Sequence, residues 1–110
     1  MKLSGEGYSV DGTPGVAVVR GVLRLESVAA YEAIFTPIRQ EMGAAGAYTI
    51  DFSGVTLMNS SGIRALANLV LEAKTHDWTL VLKGTLAVPW QRKSLASLGA
   101  LTPKVKVEIH

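Results

Sequence analysis

The apolar residues of this chain switch repeatedly between a spacing of two and the spacing of an α-helix. That alternation restricts the possible folds more than any other feature. Val16-Ala17-Val18-Val19-Arg20-Gly21-Val22-Leu23 is a nearly continuous apolar run rich in Val, which reads as a largely buried strand. From Ser27 the spacing lengthens: Val28, Tyr31, Phe35, Ile38 and Met42 recur at steps of three and four and form one helical stripe. Pro37 falls inside that stripe, costs about 3 kcal/mol in a helix interior, and predicts a kink or restart. Gly43 and Gly46 are expected to close the helix.

Further on, Tyr48, Ile50 and Phe52 alternate with Thr49, Asp51 and Ser53, as in a strand. Asp51-Phe52-Ser53 is read as its end. Ile63, Leu66, Ala67, Val70 and Ala73 make a second helical stripe. Trp78–Leu82 is a strand that Gly84 ends, and Pro89 suits the first turn of a third helix anchored by Leu95 and Leu98. Lys104–Ile109 alternates again, with Val105, Val107 and Ile109 inward. Ahead of all this, Glu6–Val10 is a weak strand closed by Asp11-Gly12-Thr13-Pro14-Gly15. The order β-β-α-β-α-β-α-β predicts an α/β fold: a mixed, largely parallel sheet with packed helices behind an opening hairpin. At 110 residues the expectation is a single domain, 1–110.

Composition removes several functional classes. The net charge is only +2, and the basic residues are scattered, so no nucleic-acid footprint is expected. There is no cysteine, which excludes disulfides and Cys-ligated zinc and fits a reducing interior. MKLSGEGYSV lacks the apolar core of a signal peptide, and no apolar run reaches the roughly 18 residues of a spanning helix. The expected location is the cytoplasm, without direct membrane insertion.

Catalytic parts are missing too. HExxH and GxxxxGK[ST] are absent, and Lys83-Gly84-Thr85 has no upstream glycine. His76 and His110 are far apart in sequence and lack partners at metal-ligand spacing. A triad of Ser61, His76 and Asp77 has no GxSxG elbow to present the serine. The expectation is a protein without enzymatic activity, cofactor or metal.

One stretch remains: Leu57-Met58-Asn59-Ser60-Ser61-Gly62, between a strand and the second helix. In an α/β sheet this junction lies at the carboxyl end of a strand, where ligands and partners meet the fold. Capping accounts for part of it, because Asn59, Ser60 or Ser61 can accept from the first free amides of the helix, worth about 1 kcal/mol. Two features go further. Leu57 and Met58 stand beside the serines, so that one is expected to be exposed to a partner. The helix is apolar over a broad arc (Leu69, Ala73, Leu66, Val70, Ile63, Ala67, Leu71), leaving Arg64, Asn68 and Glu72 on a narrow polar stripe.

The run Asp51-Phe52-Ser53-Gly54-Val55-Thr56-Leu57-Met58-Asn59-Ser60-Ser61-Gly62-Ile63 resembles the signature of the STAS domain, the fold of bacterial anti-sigma-factor antagonists. Gly21-Val22-Leu23, the Trp78–Lys83 strand and the Leu95–Leu101 helix end extend the resemblance over nearly the whole chain. It implies a mixed sheet backed by helices, no catalysis, and partner switching. An anti-sigma serine kinase would phosphorylate Ser61, and a serine phosphatase would reset the cycle. The implied contact residues are Leu57, Met58, Asn59, Ser60, Ser61, Gly62, Arg64, Asn68, Glu72 and Arg24. The chain departs from the family pattern in having Asn59 where an Asp is usual and Arg24 where many members carry an acid. Both changes make the surface more positive. A second implied role is that of an accessory subunit docked on the ATPase of a membrane lipid transporter, and a third is nucleotide binding.

Overall fold

Three strand–helix–strand passages follow an N-terminal meander. The computed structural model describes residues 1–110. The elements are β1 (Lys2–Gly5), β2 (Tyr8–Thr13), β3 (Val16–Leu23), a 3-10 turn (Ala29–Tyr31), α1 (Glu32–Ala45), β4 (Ala47–Met58), α2 (Ser60–His76), β5 (Thr79–Gly84), α3 (Pro89–Gly99) and β6 (Val105–Ile109). Sheet order is chain order, β1-β2-β3-β4-β5-β6. The first two pairings are antiparallel and the other three parallel. Each parallel crossover steps to the next strand in the same direction, so right-handed connections put all three helices on one face. The core fills the space between: Val10, Val19, Ile50, Phe52, Leu80 and Leu82 from the sheet meet Phe35, Ile38, Leu66, Leu69 and Leu95 from the helices. On the opposite face Val18, Asp51, Lys83 and Glu108 stand in register across four strands, which explains the polar half of the alternation.

The α/β sheet expected from the sequence is present, with one additional strand. β1 contains a single large apolar residue, Leu3, too weak a signal to read alone; it forms as a hairpin on β2. β2 also runs on through Asp11, Gly12 and Thr13, which pair with Val18, Ala17 and Val16, so only Pro14-Gly15 turns. Gly21 holds φ at +104°, and a Cβ there would sit 2.1 Å from the Gly7 carbonyl oxygen. That close approach lets the Val22 N–H donate to Gly7 at 2.8 Å.

Pro37 does not break α1. Ala33, whose carbonyl loses its bond to the proline, lies on the exposed side, where the carbonyl is open to solvent. Gly46 ends the helix in the left-handed region at φ 76°, its N–H bonded to Met42. Gly43 stays helical, its bare Cα facing the Trp78 ring. Ile50, Phe52, Leu66 and Val70 are fully buried, whereas Ile63 is only half-buried against the core.

Arg39 joins the first two helices. Its guanidinium donates to Glu32 at 2.8 Å and to Glu72 at 2.5 Å. Hydrogen bonds from Arg39 and then Thr36 hold the Glu32 carboxyl below the usual carboxylate range. A depressed folded-state pKa contributes stability that is present above the unfolded value and is lost as pH falls through the folded one. With its side chain 45% exposed, solvent screening keeps Glu32's contribution below about 1 kcal/mol. Melting temperature followed from pH 7 down past pH 4 should therefore fall less steeply for Glu32→Gln than for the wild type. Parallel curves would show that Glu32 adds nothing to the acid limb.

Candidate functional site

β4 does not end at Ser53. It continues to Met58, and the reason the alternation seemed to stop is a pair of bulges. Val18 pairs with Asp51 but Arg20 with Gly54; Gly21 pairs with Val55 but Val22 with Leu57. Each shift inserts an extra β4 residue and turns the inward positions from steps of two to steps of three. Phe52, Val55 and Met58 are accordingly buried, while Ser53, Gly54, Thr56 and Leu57 are exposed.

The far half of β4 also loses its second neighbour, because pairing to β5 ends at Asp51–Lys83. Two side chains from α3 take up the unpaired carbonyls. Gln91, fully buried, donates through Nε2 to Phe52 at 2.7 Å and Val55 at 2.9 Å, and its Oε1 accepts from the Thr85 N–H at 2.7 Å. Trp90 donates from Nε1 to the Val55 carbonyl at 3.0 Å and meets Phe52 edge-on. Sequence reasoning passed over Gln91. The signal was its spacing, since Gln91, Leu95 and Leu98 lie four and three apart on one buried stripe.

Anchored this way, β4 delivers Asn59 to the head of α2. Asn59 alone is the cap: its Oδ1 accepts from the Gly62 N–H at 3.0 Å and from the Tyr31 hydroxyl at 2.6 Å. Its Nδ2 donates to the Leu25 carbonyl at 2.8 Å. The amide has a physical reason at this position, because a carboxylate has no hydrogen to offer Leu25. Burial pushes the Tyr31 phenol above its ordinary range, so it stays a neutral donor. Gly62 lies directly over that ring, where a Cβ would come 2.8 Å from both Cζ and the hydroxyl oxygen.

The cap leaves the Ser60 and Ser61 hydroxyls outside this network. Ser60 is exposed and Ser61 half-buried in the first helical turn, where their own N–H groups have no intrahelical acceptor. Leu57 (38% exposed), Arg64 and Asn68 share the surface with them, and Arg24 follows the Leu23–Met58 pair at the end of β3. Met58 and Gly62 lie beneath that surface, Asn59 is turned into its bonds, and Glu72 is held by Arg39. The exposed groups are thus two hydroxyls, one leucine, one amide and two guanidinium groups.

These exposed groups can take part in recognition. Ser61 and His76 lie at opposite ends of a 17-residue helix, about 22 Å apart along its axis, so they cannot form a triad. His76 instead stacks on Trp78. No cluster of three or more His, Asp or Glu side chains is assembled to hold a metal ion, and no helix is long and apolar enough to cross a membrane. A groove of about 690 Å³ beside Arg24 carries Glu6 and Glu26 against that single guanidinium, a poor field for a polyphosphate.

A six-stranded, mostly parallel sheet with helices on one face and a serine-bearing helix start at its carboxyl edge is the architecture of a STAS-like α/β domain. A protein-family model described as "Mlab, STAS domain" matches residues 7–104, and the chain belongs to the STAS domain family. No curated protein matches the chain.

Proposed function

We propose that this protein is a non-catalytic regulatory binding protein that switches partners at the head of α2, with Ser61 as phosphoacceptor for an anti-sigma serine kinase and substrate for a serine phosphatase. The observation that carries the reading is the division of labour at the helix start. Asn59 does the capping, so Ser61 is available for modification without unfolding the helix. A phosphate adds about −1.5 to −2 charges. At a helix N-terminus that charge is favourable by about 0.3–1 kcal/mol, and Arg64 stands one turn on. Inside a protein–protein contact the same group meets desolvation and like-charge costs of several kcal/mol. One modification then separates release from stability. The reading places the protein in the cytoplasm as a single domain, 1–110.

A second reading has its own support. Arg64, unlike Arg24 with Glu6 and Glu26 around it, faces outward beside the serines without an ion-pair partner, and Asn59 supplies no negative charge. Such a positive surface also suits permanent docking on an acidic patch of a transporter ATPase, with Ser61 unmodified.

The two readings separate in a capture experiment from host lysate with magnesium and ATP. Under partner switching, Ser61→Asp loses the kinase by more than tenfold yet melts within about 0.5 kcal/mol of the wild type, while Ser61→Ala retains the kinase and gains no phosphate. Recovery of a transporter ATPase with wild type and Ser61→Ala alike, with no bait phosphorylated, establishes docking instead.

A further inference from the structure

The sheet has two free edges, β1 and β6, and they are not equivalent. In β6 the bonds to β5 use the even-numbered residues: Leu80 N–H donates to the Lys104 carbonyl and His110 N–H to the Gly84 carbonyl. Successive residues of a strand point their backbone groups to opposite sides. The N–H and C=O of Val107 and Ile109, and the C=O of Val105, therefore face away from the sheet. The Val105 N–H is taken by Thr102. Beside this edge runs a mainly apolar groove of about 530 Å³ between β6 and α3, lined by Val105, Val107, Ile109, Ala96, Gly99 and the 59% exposed Leu86, with Arg92 its one charged residue.

The sequence of β6 says what fits there. Val105-Lys106-Val107-Glu108-Ile109 is complementary to itself when reversed about Val107. Lys106 falls opposite Glu108, Val105 opposite Ile109, and Val107 opposite its own copy. Exposed edges are commonly blunted by charges of one sign, which repel a second copy; alternating Lys and Glu at this spacing do the reverse. The β1 edge lacks the property, since reversing Lys2–Gly5 sets Lys2 against glycine.

We propose that β6 pairs antiparallel with β6 of a second copy of this chain, joining two six-stranded sheets into one about a two-fold axis at Val107. The two Val107 residues exchange both backbone bonds, and each Ile109 N–H donates to the other copy's Val105 carbonyl. Lys106 and Glu108 form two symmetry-related ion pairs on the open face. On the helix face, the two grooves meet and cover the valines, Ile109 and Leu86. Because the copies run antiparallel, their Ser61 loops lie at opposite ends of the joined sheet, and pairing leaves both free.

Sedimentation velocity over a concentration series tests this. The wild type should dimerise. Lys106→Glu and Glu108→Lys, each setting like charges opposite one another twice, should each weaken the dimer about tenfold. Both residues are exposed, so circular dichroism should be unchanged. Read at a dilution where the wild type is monomeric, the melting temperature of Lys106→Glu should be unchanged. That of Glu108→Lys, whose new ammonium stands beside Lys83, should fall by only a few degrees. Mixing the two variants restores opposite charges at both positions, and heterodimers should form with wild-type affinity. A wild type that stays monomeric up to its solubility limit overturns the proposal. So do single variants that dimerise as well as the wild type, or a mixture that does not recover.

Discussion

Gln91→Leu should cost about 2–5 kcal/mol and lower the melting temperature by more than about 10 °C. Leucine closely matches the volume, so packing in the α3–β4 contact is retained and the loss isolates hydrogen bonding. Three backbone groups depend on this amide: the Phe52 and Val55 carbonyls and the Thr85 N–H. Val55 keeps a partner in Trp90, which leaves two orphans, each costing about 1–3 kcal/mol when buried. Urea denaturation gives the stability directly. Amide hydrogen exchange adds a local check, because the Thr85 N–H should lose its protection. A loss below about 1 kcal/mol would mean that water enters and replaces the side chain, and that β4 does not depend on it.

Gly62→Ala sets two effects against each other. Helix propensity favours alanine by about 1 kcal/mol. Sterics oppose it: the new methyl would stand 2.7 Å from the Met58 Cγ and 2.8 Å from the Tyr31 ring. Methionine can shift, but the tyrosine ring is held by its hydroxyl bond to Asn59. Overpacking against a fixed group costs about 1–3 kcal/mol, and we expect it to prevail, with net destabilisation of about 1–2 kcal/mol. Ser61→Ala, one residue away, should stay within about 0.5 kcal/mol of the wild type. Equal melting temperatures for the two variants would show that Tyr31 yields freely and that the helix start is soft.

How legible the chain was depends on what each segment had to satisfy. α1 and α2 were readable because one face of each is buried and the apolar residues therefore keep a fixed period, and β3 because it is a nearly continuous run of Val between turn signals. β4 was readable only to Phe52. Beyond it, two bulges change the period, and a reader following steps of two meets Ser53 and Gly54 and infers a loop. β1 gave no signal because an edge hairpin with one side on solvent needs only Leu3. At the site, position and composition pointed to the serines, but three candidate caps were interchangeable on paper. What selects Asn59 is long-range: the Leu25 carbonyl and the Tyr31 hydroxyl lie 34 and 28 residues away in sequence. The Tyr31 stripe was visible as core, but its hydroxyl's task was not. Gln91 was hidden for the same reason, since its partners lie on a strand whose pairing had not been foreseen.

The cap at Asn59 also determines which substitutions the chain can absorb over generations. Tyr31, Asn59 and Gly62 specify one another through contact and hydrogen bonding, so a change at any one demands changes at the others. Ser60, Ser61, Arg64 and Asn68 carry no such debt to the interior. A descendant can exchange them one at a time, losing a hydroxyl or reversing a charge, while the helix still starts at the same residue. The surface beside the helix start is free to drift on a scaffold that is not.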